Sequence, residues 1–429
     1  MKTLLFLAMA AGLAAARASA AEPADAKAYT QRGFEKHLQG DENGALADFD
    51  KALALDPASV EAYFDRANVK SMKFDYAGAV ADYTKAADLY GSGPELARPK
   101  RANLYLARAQ AKALKRDYDG ASADYAKVLE LDPKNIRAYF QLADLSAQKR
   151  DFPSAIADYT KAIALDPKNS FAFSGRGIAE DAMGGHDAAI ADFDKALALD
   201  GKSANVHMSR AGAKASKGDR AGALADFDAA IKLEPTSSLD YVFRGRAKGS
   251  FGDYDGAVAD YAKALELDPK MALAYVYRAT ERYDRQAWAP ALEDYRKICA
   301  LTPEHQSYAR LRIWLIRART GERAQADAEL SEFLAQKPAP GQEWLGEVGR
   351  FLLGKTTEEA LLASAASSDA ETDKTRKTAA YFFAGTKRLI DGDKTGALER
   401  LKMTAASGAK GKQSYRSAAA EIQRLERGS

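Results

Sequence analysis

Apolar side chains recur at three- and four-residue intervals along most of the chain, the spacing of one helical face, and each stretch closes on Leu-Asp-Pro or a near variant. The closing positions are Pro57, Pro133, Pro167, Pro235, Pro269 and Pro303, with Gly91 and Gly201 in the same slot. They stand 34 residues apart, except for eight extra residues within 91–101. The pattern predicts eight helix-turn-helix units over 26–305, beginning near Ala26, Val60, Ala102, Ile136, Ser170, Ala204, Ser238 and Ala272. Proline cannot continue a helix, so it ends each unit. The turn inside a unit is marked by Lys217-Gly218-Asp219 and Phe251-Gly252-Asp253.

Counted within a unit, an aromatic or histidine stands fourth (Tyr29, Tyr63, Tyr105, Tyr139, Phe173, His207, Tyr241, Tyr275) and glycine or alanine eighth (Gly33 to Ala279). Alanine stands twentieth (Ala45 to Ala291) and an aromatic twenty-fourth (Phe49 to Tyr295). Small residues let the two helices approach closely, and the last two positions share a helical face. This unit resembles the tetratricopeptide repeat. The resemblance implies an all-α, right-handed superhelical solenoid with a C-terminal helical cap, and a protein or peptide partner in its groove.

Charge follows the same period. Aspartate fills the twenty-third position in all eight units: Asp48, Asp82, Asp124, Asp158, Asp192, Asp226, Asp260 and Asp294. Arginine fills the seventh in seven: Arg32, Arg66, Arg108, Arg176, Arg210, Arg244 and Arg278, with Leu142 the exception. Recurring cations beside recurring carboxylates predict a ladder of ion pairs along the stack, each contributing ~0.5–1 kcal/mol if partly exposed. A carboxylate row open to a metal or a basic ligand is the competing reading. In a right-handed stack of such hairpins the second, fifth, ninth and twelfth or thirteenth positions of the first helices point into the groove, and the fifth positions predict the partner-binding row: Phe64, Leu106, Phe140, Met208, Val242 and Val276, with Thr30 and Ser174 the polar members. Packing within the superhelix is the alternative for that row.

Beyond Pro303 the period weakens. Residues 306–340 read as a degenerate ninth repeat, with Trp314 replacing the small residue and Gly321 at the turn. Over 341–429 the pattern predicts short helices at Trp344–Leu353 and Thr357–Ala366, a polar link at Ser367–Lys374, a hairpin over Lys377–Ser407 packed through Gly385 and Ala397, and a capping helix at Ser414–Leu425. The order of elements from Tyr308 through Trp344-Leu345-Gly346-Glu347 to Tyr381-Phe382-Phe383 resembles the NlpI-type periplasmic adaptors. That resemblance implies a helical dimer acting in cell-wall turnover. Their lipoprotein cysteine has no counterpart here, so no membrane anchor is expected.

Composition narrows function further. Lysine and arginine number 63 against 60 acids, too even a balance to draw in nucleic acid. The only cysteine is Cys299, which excludes an internal disulfide and a multi-cysteine metal site. Lys2, the apolar run Leu4–Ala16 and Ala18-Ser19-Ala20 read as a signal peptide over 1–20, cleaved after Ala20 or Ala21, which directs the mature chain to the periplasm or outside the cell. Gly349–Thr356 fits G-x-x-x-x-G-K-T, but its interior Arg350-Phe351-Leu352-Leu353 is helical and no strand precedes it. Gly354 is expected to end one helix and Thr356 to cap the next. His37, His186, His207 and His305 share no repeat position, so no zinc site is expected, and no nucleophile or acid-base pair stands out. The expectation is a non-catalytic scaffold without metal or cofactor that holds a protein or peptide, or alternatively a second copy of itself.

Overall fold

The computed structural model describes residues 24–91, 98–336, 343–409 and 412–427. The expected signal peptide, residues 92–97 of the insertion and the expected break at Pro338–Gly341 lie outside them. Among the described residues there are 23 helices and no strand. The first unit of the chain, Met1–Gly201, holds five hairpins: α1 (Ala26–Leu38) with α2 (Glu42–Leu55), α3 (Val60–Met72) with α4 (Tyr76–Tyr90), α5 (Arg98–Leu114) with α6 (Tyr118–Leu131), α7 (Ile136–Gln148) with α8 (Phe152–Leu165), and α9 (Ser170–Ala182) with α10 (His186–Leu199). The second, Lys202–Ser429, continues with α11 (Ala204–Lys217) and α12 (Arg220–Leu233), α13 (Ser238–Ser250) and α14 (Tyr254–Leu267), and α15 (Ala272–Asp284) and α16 (Trp288–Leu301). It closes with α17 (Pro303–Arg319), α18 (Arg323–Leu334), α19 (Glu343–Leu352), α20 (Glu358–Ser364), α21 (Ala370–Ile390), α22 (Lys394–Ala406) and α23 (Gln413–Arg427).

Small residues explain the close hairpins. All eight alanines at the twentieth position are fully buried, from Ala45 to Ala291. The glycine at position 245 shows why the eighth position stays small: a Cβ there would lie 2.8 Å from the Tyr261 ring and 3.1 Å from the Ala257 carbonyl. The rings at the twenty-fourth position, such as Phe49, Tyr125 and Tyr261, fill the space this leaves and are themselves fully buried. Each such ring contributes roughly 2–3 kcal/mol by leaving water. Most second helices start on an aspartate cap, while Gly185 and Ala287 stand at that position in two units. Asp41 accepts from the Gly44 amide at 2.9 Å, and Asp75, Asp117, Asp219, Asp253 and Asp393 cap a glycine amide in the same way.

Within each unit of the chain, a second helix packs on the following first helix, and first helices also touch one another: α1 on α3, α3 on α5, α7 on α9 and α13 on α15. That closer spacing puts the first helices on the inner face of each stack.

The structure differs from the sequence reading in three places, two of them in the C-terminal region. Helix α21 begins at Ala370, inside the stretch expected to be a polar link, because Asp369 accepts from the Thr372 amide at 2.7 Å and Glu371 and Asp373 favour a first turn. Helix α20 is capped by Thr357, whose hydroxyl accepts from Ala360 at 3.2 Å, in place of Thr356. Helix α5 starts at Arg98, four residues before the repeat boundary. Trp314 is buried in the ninth hairpin and donates to Asp327 at 2.7 Å, which is how a large ring replaces a small residue there.

Candidate binding face and the charge pairs behind it

Each first helix carries two functional stripes. One faces its own hairpin's second helix through the seventh position, and the other faces inward through positions two, five, nine and thirteen, which fall on one side at 100° per residue.

The fifth-position row is only partly available. Val242 is fully buried and is thereby removed from the candidate partner surface, and Thr30 is also buried. Phe64 is half-buried with its ring 5.7 Å from Tyr83, and Phe140 repeats this against Tyr159 at 5.7 Å. Leu106, Met208 and Val276 are half-buried against the cores of their own hairpins. Ser174 is half-buried as well. The row is a floor beneath the inner face.

What projects from that floor is a different set. Phe34 is 45% exposed, Leu38 70%, Met72 59%, Leu114 58%, Phe171 72% and Ile178 50%, all at second, ninth or thirteenth positions of the first unit's inner helices. Between α5 and α7 lies a recess of about 480 Å³ lined by Gln110, Leu114, Gln141, Asp144 and Gln148 among others. Asp144 accepts the Tyr159 hydroxyl at 2.5 Å, and burial pushes its carboxyl above the ordinary range. Asp65 on the same face is pushed up to about 6 by burial, with the neighbouring Glu61 adding to it and His37 opposing it. Their positions follow from the repeat, but recurrence marks only what is constant between copies and so does not single out the residues. A surface fitted to one ligand varies from copy to copy.

The constant charges have a structural place. All seven arginines reach the aspartate sixteen residues later in the same hairpin through two nitrogens, at N–O separations from 2.5 to 3.1 Å. The pairs therefore close individual hairpins. Only the third guanidinium nitrogen runs along the stack: Arg66 to Asp50 and Arg244 to Asp228, both at 2.6 Å, Arg108 to Thr84 at 3.3 Å and Arg176 to Thr160 at 3.1 Å. A second cation joins most carboxylates, as Lys70 joins Asp82 at 2.7 Å, Lys214 joins Asp226 at 2.8 Å and Arg282 joins Asp294 at 2.7 Å. The fourth-position ring lies under the arginine, with Arg66 5.5 Å from the Tyr63 centroid and Arg108 5.2 Å from Tyr105. Burial alone would raise the Asp226 carboxyl, but Arg210, Lys214 and His207 together hold it below its ordinary value.

Asp158 does not join the ladder. Leu142 takes the arginine's position and Ser146 the lysine's, no cation among the described residues lies within ion-pair distance, and burial raises its carboxyl.

The remaining motifs are absorbed into the fold. Gly349, Arg350, Phe351 and Leu352 of the P-loop-like stretch lie in α19, Gly354 ends it at φ 70°, and Lys355 returns its amide to the Arg350 carbonyl at 2.8 Å. Cys299 is half-buried and burial raises its thiol. His37, His186 and His207 each face a carboxylate, Glu42, Asp181 and Asp226, at 2.9, 2.7 and 3.1 Å. Among the described residues no group of three histidines, cysteines or carboxylates is placed to hold a metal, and no helix is long and apolar enough to cross a membrane.

Stacked hairpins with small residues at fixed contacts and an inward first helix define an α-solenoid repeat protein. Family models of the tetratricopeptide repeat match residues 26–59, 106–170, 175–238 and 241–271, so the chain carries an array of tetratricopeptide repeats. Among solved structures it is similar to the MamA protein, with 28% identity over 41% of this chain and 95% of that one at a TM-score of 0.38. It is also similar to YrrB, described as a TPR protein with an unusual peptide-binding site, with 23% identity over 45% of this chain and 95% of that one at a TM-score of 0.39. A tetratricopeptide repeat protein from Parabacteroides merdae ATCC 43184 is 18% identical over 59% of this chain and 97% of that one, at a TM-score of 0.45. At these TM-scores the superpositions carry no argument about how this chain works. No curated protein matches it.

Proposed function

We propose that this chain is an exported, non-catalytic scaffold that holds a segment of another protein against the inner face of its first five hairpins. Tetratricopeptide arrays typically act as protein-interaction scaffolds. The observation that carries the reading is the set of large apolar side chains left exposed on one helical side, Phe171 at 72% and Leu38 at 70% foremost, beside the polar recess between α5 and α7. The apolar set supplies area, and the glutamines and Asp144 supply hydrogen-bonding groups for a peptide backbone. Export to the periplasm rests on the Lys2, Leu4–Ala16 and Ala18-Ser19-Ala20 pattern, and a role in cell-wall turnover is the corresponding proposal for the pathway.

Photo-crosslinking tests it. A crosslinker at Phe171 or Leu114 should capture a defined partner in envelope extract, whereas one at Lys195, exposed on α10, should not. Combined Phe34→Ala, Phe171→Ala and Ile178→Ala should abolish that capture while the thermal transition stays in place. Equal capture from both faces would remove the inner face from the proposal.

A further inference from the structure

The last helix, α23, is attached unlike any other. Its Arg416 reaches the fully buried Glu281 of α15, and its Arg424 donates to the Asp284 carbonyl at 2.8 Å. Arg319 of α17 meets Glu421 at 2.6 Å, Arg312 donates to Ser417 at 3.1 Å, and Tyr308 bonds Ser414 at 3.2 Å. The contact surface of α23 is small and flat, since Ser417 and Ala418 are both fully buried; Ile422 and Leu425 carry the same helix onto the apolar core.

Two features distinguish this seam from a permanent core. Glu281 stands tenth in its unit, where the buried Val69, Ala111, Leu145, Ala179, Ala213 and Ala247 stand in six others and the exposed Glu35 in the first, so a buried acid occupies a slot that is apolar wherever else it faces the interior, and it requires a cation from elsewhere. Beneath α23, Glu281 Oε2, Asp284 Oδ1, Arg312 Nη1 and the Tyr283 hydroxyl are buried with no protein partner. In the first unit the only buried side-chain atom in that condition, among the described residues, is Arg101 Nε. Polar groups so placed regain hydration when the covering element leaves, which lowers the cost of separation relative to an apolar contact. Interfaces that come apart have this polar character.

We propose that α15, the side chains of α17 and the α21–α22 hairpin form a seat for an amphipathic helix, occupied in the resting chain by its own α23, and that a partner helix presenting small residues flanked by arginine and glutamate takes the seat by displacing it. The acid at Glu281 selects for the partner's arginine, and Ser417 and Ala418 show the size limit at the centre. This site is separate from the inner face of the first unit and stands whether or not that face binds a segment.

The test keeps the chain folded until the measurement begins. A protease recognition sequence inserted after Gly408 is cut in the purified full-length protein, and a fluorescent peptide of residues 413–427 is added. Exchange of the cut fragment for the labelled peptide at one per chain, with an Arg416→Ala peptide at least tenfold weaker, is the expected result. No exchange while circular dichroism is unchanged would show a fixed structural helix and overturn the proposal. Collapse of the unfolding transition on cutting would overturn it equally, as would a doubled mass of the uncut chain with α23 swapped between copies.

Discussion

The repeats and the C-terminal seam both bury arginines, and they satisfy them in opposite ways. In the array every seventh-position guanidinium finds a carboxylate sixteen residues on, a lysine or arginine shares most of these carboxylates, and an aromatic ring lies beneath. In the seam, Arg312 is fully buried with no carboxylate in ion-pair range among the described residues. It sits among rings, 4.5 Å from Tyr283, 4.4 Å from Phe382 and 5.2 Å from Tyr308, and donates to the Tyr308 and Ser417 hydroxyls. A repeated unit can settle its charges locally because each copy brings both partners. A seam assembled from distant elements uses whatever groups converge there.

The comparison can be broken first at Asp226. Replacing it with alanine strands Arg210 and Lys214 in a mostly buried site, and a loss of about 3–5 kcal/mol in urea unfolding is expected. Asp158→Ala, at the same position of a unit lacking the arginine, should stay within about 0.5 kcal/mol. Equal losses would show that the pairs contribute nothing beyond burial. In the seam, Arg312→Ala empties a fully buried position and should cost about 3 kcal/mol, whereas Arg312→Met, which keeps the packing without the charge, should recover most of it.

Acidity separates Asp284 of the seam from the arginine-paired aspartates of the array by sign. Burial pushes the Asp284 carboxyl up to about 6, with Glu281 adding and Ser417, Arg312 and Arg416 opposing. The folded state therefore holds this proton more tightly than the unfolded chain, and its contribution is present at low pH and lost as pH rises from about 4 to about 6. Asp284→Asn should flatten that decline, by an amount on the order of 2 kcal/mol at neutral pH. Asp48 and Asp226 are held low and act oppositely: their contribution is present above about 4 and lost as pH falls through their lowered values. Denaturant titrations of wild type and Asp284→Asn between pH 3 and 7, spans of roughly these windows, resolve both signs.

Smaller effects sharpen the array itself. The residue that turns each hairpin has positive φ, and where glycine is absent Phe74, Arg116, Arg150 and Gln286 hold φ of 61° to 66°. Arg150→Gly should raise stability by about 1 kcal/mol, because only glycine adopts that backbone without strain. Leu142→Arg supplies the missing partner of Asp158 and should gain about 0.5 kcal/mol, partly offset by lost packing on the α5–α6 core. Thermal melting of the two single variants reads both.

Repetition made the hairpins, the small-residue contacts and the arginine–aspartate pairs legible, since internal copies act as their own comparison. It also misled. Counting the fifth position as groove placed Val242 on a surface from which it is wholly excluded. Exposure depends on the neighbouring helix, and a residue's own position in a period does not contain that neighbour. The Asp369 cap that extends α21 into a polar stretch was readable in the local sequence, through an Asp followed by acids in the first turn.

By itself, the sequence determined that this chain is a stack of helical hairpins, where the regular units recur, and which charges recur, because those features are set by contacts within a few tens of residues and are written again in every copy. The tertiary structure alone decided which apolar side chains stay exposed on the inner face, and that Glu281 meets Arg416 from 135 residues away. Such contacts join elements that no period relates, and they exist only once the chain has brought those elements together.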